Sequence, residues 1–210
     1  MAIMMRILIF AVFTLLCFLP GKPIAAESLT EASPIQWEKI ERLPKGTEIR
    51  IVKNKDGTET RTLDFPGKVQ ITETRSIYGS QGSMGSDNSG KGAILCTWMI
   101  YGTTKHFLDV CGGKNDQGAR MRLDKTIDKI NDFIVANSLT PVTKDELNKK
   151  IKTMGFDESR MSKEELLKVC QSKDMRSFGD YARTTPEDKF NAAIEDALSI
   201  PRPPVLNPCL

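Results

Sequence analysis

The chain has 210 residues, 40% of them hydrophobic, with 30 basic against 27 acidic side chains, one histidine and five cysteines. A formal charge of +3 is too small for the electrostatic footprint of a nucleic-acid or anionic-membrane binder. No two cysteines stand at CxxC spacing and the single histidine cannot complete a zinc set, so no metal or cofactor is expected.

Met1 to Arg6 carries one positive charge, Ile7 to Leu19 is an apolar run of 13 residues, and Pro20, Gly21 and Pro23 break it. Small residues at Ala25 and Ala26 follow, and the polar chain opens at Glu27. That order predicts a secretory signal peptide over 1–26, cleaved after Ala26. The run falls short of the ~20 residues a membrane-spanning helix needs, so no stable anchor is expected after cleavage. Cys17 sits between Leu16 and Phe18, where a lipid-modification site wants small neighbours, and reads as apolar filler. Without Arg6 and Lys22 the mature 184 residues balance 28 basic against 27 acidic groups. Export to the periplasm or the medium puts the four remaining cysteines in an oxidising compartment, so Cys96, Cys111, Cys170 and Cys209 are predicted to form two disulfides. Of the three connectivities, Cys96–Cys111 and Cys170–Cys209 are preferred here, on the expectation that the first pair joins neighbouring strands and the second ties down the tail. Each is worth roughly 3 to 4 kcal/mol by loop entropy.

The mature chain reads as one α+β domain over 27–210, with a β-rich part over 35–113, a helical part over 118–200 and a proline-rich tail over 201–210. Ile35 to Leu43, with Trp37, predicts one or two helical turns stopped by Pro44. Glu48 to Lys53 alternates at period two, Asn54-Lys-Asp-Gly57 is a hairpin turn, and Thr58 to Phe65 is the returning strand. Lys68 to Tyr78 predicts a third strand, with Val69 and Ile71 on one face and Thr72, Thr74 and Ser76 on the other. Gly79 to Gly92 is rich in glycine and serine and predicts a mobile loop or long hairpin tip. Ala93 to Tyr101 and Lys105 to Cys111 predict a fourth and a fifth strand, turned by Gly102-Thr-Thr104.

From Asn115 the apolar period becomes helical. Leu123, Ile127, Ile130 and Ile134 fall on one face. Thr143 with Glu146, and Ser162 with Glu165, are capping boxes opening helices at Lys144 and Lys163. A fourth helix opens at Thr185 with Pro186 in its first turn and runs to Leu198. Thr143 to Cys170 resembles in outline the small helix–loop–helix modules of the SAP type, but acids match its lysines, and it reads as a packed helical hairpin. The expected architecture is thus an antiparallel β-meander of about five strands packed against three or four C-terminal helices.

Chemistry-bearing patterns are sparse. Gly85 to Lys91 fits the phosphate-loop spacing GxxxxGK, but Gly92 replaces the magnesium-binding hydroxyl and a strand, not a helix, is expected to follow. His106 with Asp109 is the one arrangement that could serve an envelope hydrolase, and no nucleophile elbow accompanies it. The alternative is a non-catalytic protein of inhibitor, immunity or accessory type that binds a protein or other envelope macromolecule. Its surface would be the adaptable loop and its flanking aromatics: Tyr78, Ser80, Gln81, Met84, Asp87, Asn88, Lys91, Trp98 and Tyr101.

Overall fold

Alternation at period two produces the sheet. In the computed structural model, which describes residues 37, 40–76, 78, 79, 81–152 and 154–209, four strands form an antiparallel meander in the order β1-β2-β3-β4. They are β1 (Glu48–Lys53), β2 (Glu59–Phe65), β3 (Val69–Arg75) and β4 (Gln81–Asp87). The signal segment, Ser80 and residues 35, 36, 38 and 39 of the expected Ile35–Leu43 helix lie outside the described residues. Residues 41–44, which end that stretch, form bends and extended chain.

The register pairs Leu63 with Ile71 and Phe65 with Val69, so these apolar residues share one face. Leu63, Phe65, Val69 and the tail residue Val205 form a buried cluster against which Ile40, Ile71 and Leu139 pack. The opposite face shows Thr60, Thr62, Thr72 and Thr74 in cross-strand pairs. The inward face turns charged at its far end. Arg61 pairs with Glu73, and the Arg61 and Arg75 guanidinia stack over the Trp37 ring at 4.7 and 5.1 Å.

The segment 79–92, expected as a mobile loop, instead contributes β4. Small residues allow it. A Cβ on Gly85 would stand 2.4 Å from Val205 Cγ1, so glycine lets the C-terminal tail lie against the strand. Ser86 forms a parallel bridge with Asn207 there.

A second difference concerns Ala93 to Cys111. The two strands expected at 93–101 and 105–111 are one helix, α1 (Ile94–Cys111). Gly102 is no turn. A Cβ there would lie 2.7 Å from Met154 Sδ, so the glycine is a close-packing contact inside a continuous helix. Thr97 and Thr104 donate their hydroxyls to the carbonyls of Ala93 and Ile100, four residues back. The sheet therefore has four strands, not about five, and helix begins at 94 rather than near 115.

Five more helices follow: α2 (Gln117–Asn137), α3 (Lys144–Ile151), α4 (Lys163–Gln171), α5 (Lys173–Thr184) and α6 (Glu187–Ala197). Both capping boxes form as the spacing predicts, Thr143 with Glu146 and Ser162 with Glu165. The predicted face of α2 is buried: Leu123, Ile127, Ile130 and Ile134 are all at most 5% exposed. Each such side chain contributes about 1.5–3 kcal/mol. α5 is a helix that the sequence pattern does not predict, since the third helix is expected to end near Lys173 and the next to open at Thr185, and Pro186 is the N-cap of α6 rather than its first helical residue. The helices share two apolar clusters. One holds Trp98, Phe133, Ile134 and Ile194, and the other holds Phe107, Leu108, Leu123 and Phe190.

All four cysteines are oxidised, but as Cys96–Cys209 and Cys111–Cys170. The preferred pairs are excluded by α1 itself. Cys96 and Cys111 sit about 22 Å apart along one helix axis, and a disulfide spans roughly 4.4–6.8 Å between Cα atoms. Residues 35–210 form one compact unit. Among the described residues no helix is long and apolar enough to cross a membrane.

Candidate functional site

One face of α1 presents Thr97, Ile100, Tyr101 and Thr104, which is i, i+3, i+4, i+7 spacing. Across from it α5 presents Ser177, Phe178, Tyr181 and Ala182, and α6 presents Ala193, Ile194 and Ala197. These residues enclose a cavity of about 500 Å³ with a predominantly apolar lining. Its size and lining are those of a small-molecule or side-chain site. Alanine at 182, 193 and 197, rather than a larger residue, keeps the space open. Phe178 and Tyr181 remain 42% and 45% exposed, far more than core aromatics.

Three aromatic rings stiffen one wall. Phe190, fully buried, meets Tyr101 edge-on at 5.4 Å between centroids and Tyr181 at 5.7 Å. The pKa of the Tyr101 hydroxyl is pushed up, by burial first and then by the neighbouring Tyr181. Among the described residues, Lys91 is the one charged side chain in the lining. Its ammonium is paired with Asp196, a carboxylate 63% exposed outside the cavity.

The nine residues expected to form a binding surface fall in different places. Lys91 and Tyr101 line this cavity. Tyr78, 90% exposed, sits in the β3–β4 turn, and Gln81 and Met84 are exposed on β4. Ser80 is outside the described residues. Asn88 is exposed, with its amide donating to the Lys68 carbonyl at 2.9 Å. Trp98 is buried and donates its indole N–H to Asn131 Oδ1 at 2.8 Å. Asp87 is buried against Arg202, whose Nε donates to Asp87 Oδ2 at 2.6 Å. The remaining Arg202 nitrogens donate to the carbonyls of Ala197, Ile200 and Gly92. Trp98 and Asp87 are therefore both hydrogen-bonded within the interior.

His106 and Asp109, three residues apart on α1, border the same cleft, but each sits against another group. His106 is buried, stacked on Phe156 at 4.4 Å, with Nε2 3.0 Å from Glu158 Oε2 but not aligned for a hydrogen bond. Asp109 is paired instead with Lys105 at 2.7 Å and Arg120 at 3.5 Å. Of the neighbouring threonines on α1, Thr104 donates its hydroxyl to the Ile100 carbonyl within the helix, and Thr103 packs under Gly155. A wider, more polar cleft of about 870 Å³ runs past His106 and is lined by Asp109, Asp124, Asp128 and Glu158. Among the described residues no cluster of three metal-ligating side chains forms.

Sequence reasoning missed the α5 and α6 walls of the apolar cavity. The available signal was Phe178 and Tyr181 at i, i+3 on a helix otherwise polar on its surface. It was invisible because no helix was expected between Lys173 and Thr185. Compared with known protein families, with characterised proteins and with solved structures, the chain matches none.

Proposed function

We propose that the protein is an exported, disulfide-stapled, non-catalytic binding protein of accessory or inhibitor type, and that its envelope partner places an apolar group in the cavity between α1, α5 and α6. The observation that carries this reading is the cavity itself: about 500 Å³ of apolar space with two half-exposed aromatic rings in its lining. Keeping such surface open forfeits burial that a purely structural protein would use. The two disulfides fit a protein that works outside the reducing cytosol. The hydrolase reading, in which His106 acts with Asp109, draws less support, because Asp109 is engaged by Lys105 and Arg120 and Glu158 is the carboxylate nearest the imidazole.

An environment-sensitive dye, anilinonaphthalene sulfonate, tests the proposal on the full oxidised chain. The folded protein is expected to enhance its fluorescence saturably. Ala193→Trp, which fills the cavity from an exposed backbone position, is expected to weaken that binding at least tenfold. His106→Ala together with Asp109→Ala is expected to leave it unchanged. Equal dye binding by the Ala193→Trp protein would remove the cavity from consideration.

A further inference from the structure

The polarity of the cavity is asymmetric. Lys91 and Gly92 precede α1, so they stand at its N-terminal end, and the Thr97–Thr104 face then runs about 10 Å along the helix. Ala197, at the last turn of α6, belongs to the same end, because Arg202 bridges the carbonyls of Ala197 and Gly92. The single charge in the lining is therefore a cation at one end. The middle is aliphatic and aromatic, with Ile100, Phe178 and Ile194. Farther along α1 lie Tyr101 and Thr104, with Tyr181 of α5 in the same lining.

We infer that the cavity takes an amphipathic acid: a single apolar chain or ring carrying one anionic head, with the head at Lys91 and the apolar body between α1, α5 and α6. This rests on the proposed binding function and deepens it by naming the ligand class. The Lys91 side chain is 27% exposed, neither buried as a structural ion nor free in water. Its present partner, Asp196, is on the surface and outside the lining, so an anion arriving through the cavity exchanges one carboxylate for another without stranding a buried charge. An uncharged apolar ligand leaves the Lys91–Asp196 pair intact and gains nothing at that end. A cationic ligand meets Lys91 as a like charge. The Tyr101 phenol, whose pKa burial raises, adds no repulsion toward an anion.

Calorimetric titration of the full oxidised chain with decanoate, decyl phosphate and decanol tests the assignment. Decanoate, decyl phosphate or both are expected to bind at least tenfold more tightly than decanol. A charge-assisted hydrogen bond of ordinary strength supplies that factor. Preference between the two anions separates a free fatty-acid-like ligand from a phosphate-bearing lipid. Lys91→Met is expected to erase the preference over decanol, and Lys91→Arg to restore it. Ala193→Trp is expected to abolish binding of all three. If the three ligands bind equally and Lys91→Met changes nothing, the anionic head is refuted while the apolar cavity stands. If none binds and the dye does not bind either, the binding function falls with it.

Discussion

Arg202 shows how a single side chain can decide what a neighbouring residue is for. Asp87 sits in a Gly-Ser-Asn segment that looks solvated in the sequence, and a carboxylate there reads as a contact for a partner. In the fold it is 1% exposed in its side chain and closed off by Arg202, itself fully buried. Nothing local to Asp87 reveals this, since its partner lies 115 residues away. Removing one member of such a pair leaves the other charged and unpaired in the interior. Arg202→Met is therefore expected to cost about 3–5 kcal/mol, and Asp87→Asn to be strongly destabilising as well. Because they share one network, Asp87→Asn with Arg202→Met should cost less than the two singles summed. Urea unfolding measures all three. A cost below about 1 kcal/mol for Arg202→Met would mean that the pair is not the lock it looks to be.

Among the elements, those marked by a local sequence pattern were legible, β1 included although all its residues are exposed, and those shaped by distant packing were not. The β1–β2 hairpin, β3, α2 and both capping boxes follow from alternation, helical period and local hydrogen bonding. α1 was not legible, because Ala93 to Cys111 mixes β-branched and aromatic residues with Gly102-Thr-Thr104, and a short apolar run does not declare its own period. In the fold it is one helix packed on α2, α5 and α3, and Gly102 takes the close approach of Met154, just past α3. β4 has the converse problem: its glycines suit a loop, and the tail that packs on Gly85 is remote in sequence. The cysteine pairing went wrong as a consequence of α1 alone.

The corrected pairing assigns each disulfide to an element. Cys96–Cys209 fixes the tail, whose Val205 and Asn207 carbonyls accept from the amides of Leu95 and Asp87 at 3.0 and 2.7 Å. Cys111–Cys170 fixes α4, a helix with no buried residue of its own. Replacing Cys96 and Cys209 with serine is expected to accelerate amide hydrogen exchange at Leu95 and Asp87 while α4 is unchanged. Replacing Cys111 and Cys170 should accelerate exchange along Lys163–Gln171 and spare the tail. The first change is expected to cost up to about 5 kcal/mol and the second about 4, from loops spanning 113 and 59 residues. Indistinguishable exchange maps for the two variants would show that neither bond acts locally.

For the whole molecule, the order of strands before helices was legible because composition changes along the chain, although the boundary lies at 94 and not near 115. Most of the cavity was not, because its walls come from four helices separated by up to about a hundred residues and its openness depends on alanines that carry no signal alone. The compartment is the property on which the proposed function depends most, and it has two independent supports. One is the order of charge, apolar run and small residues over 1–26. The other is that all four cysteines after Glu27 lie within bonding reach in the fold, while Cys17, the fifth, falls inside the apolar run. The two meet in one measurement. Intact mass spectrometry of the protein from its natural source, with and without alkylation before reduction, is expected to give a chain starting at Glu27 that takes up no alkyl group until it is reduced. A product retaining Met1, or one alkylated at Cys96, Cys111, Cys170 or Cys209 in its folded state, would place the protein in a reducing compartment. The cavity would then have to be explained by a cytosolic ligand.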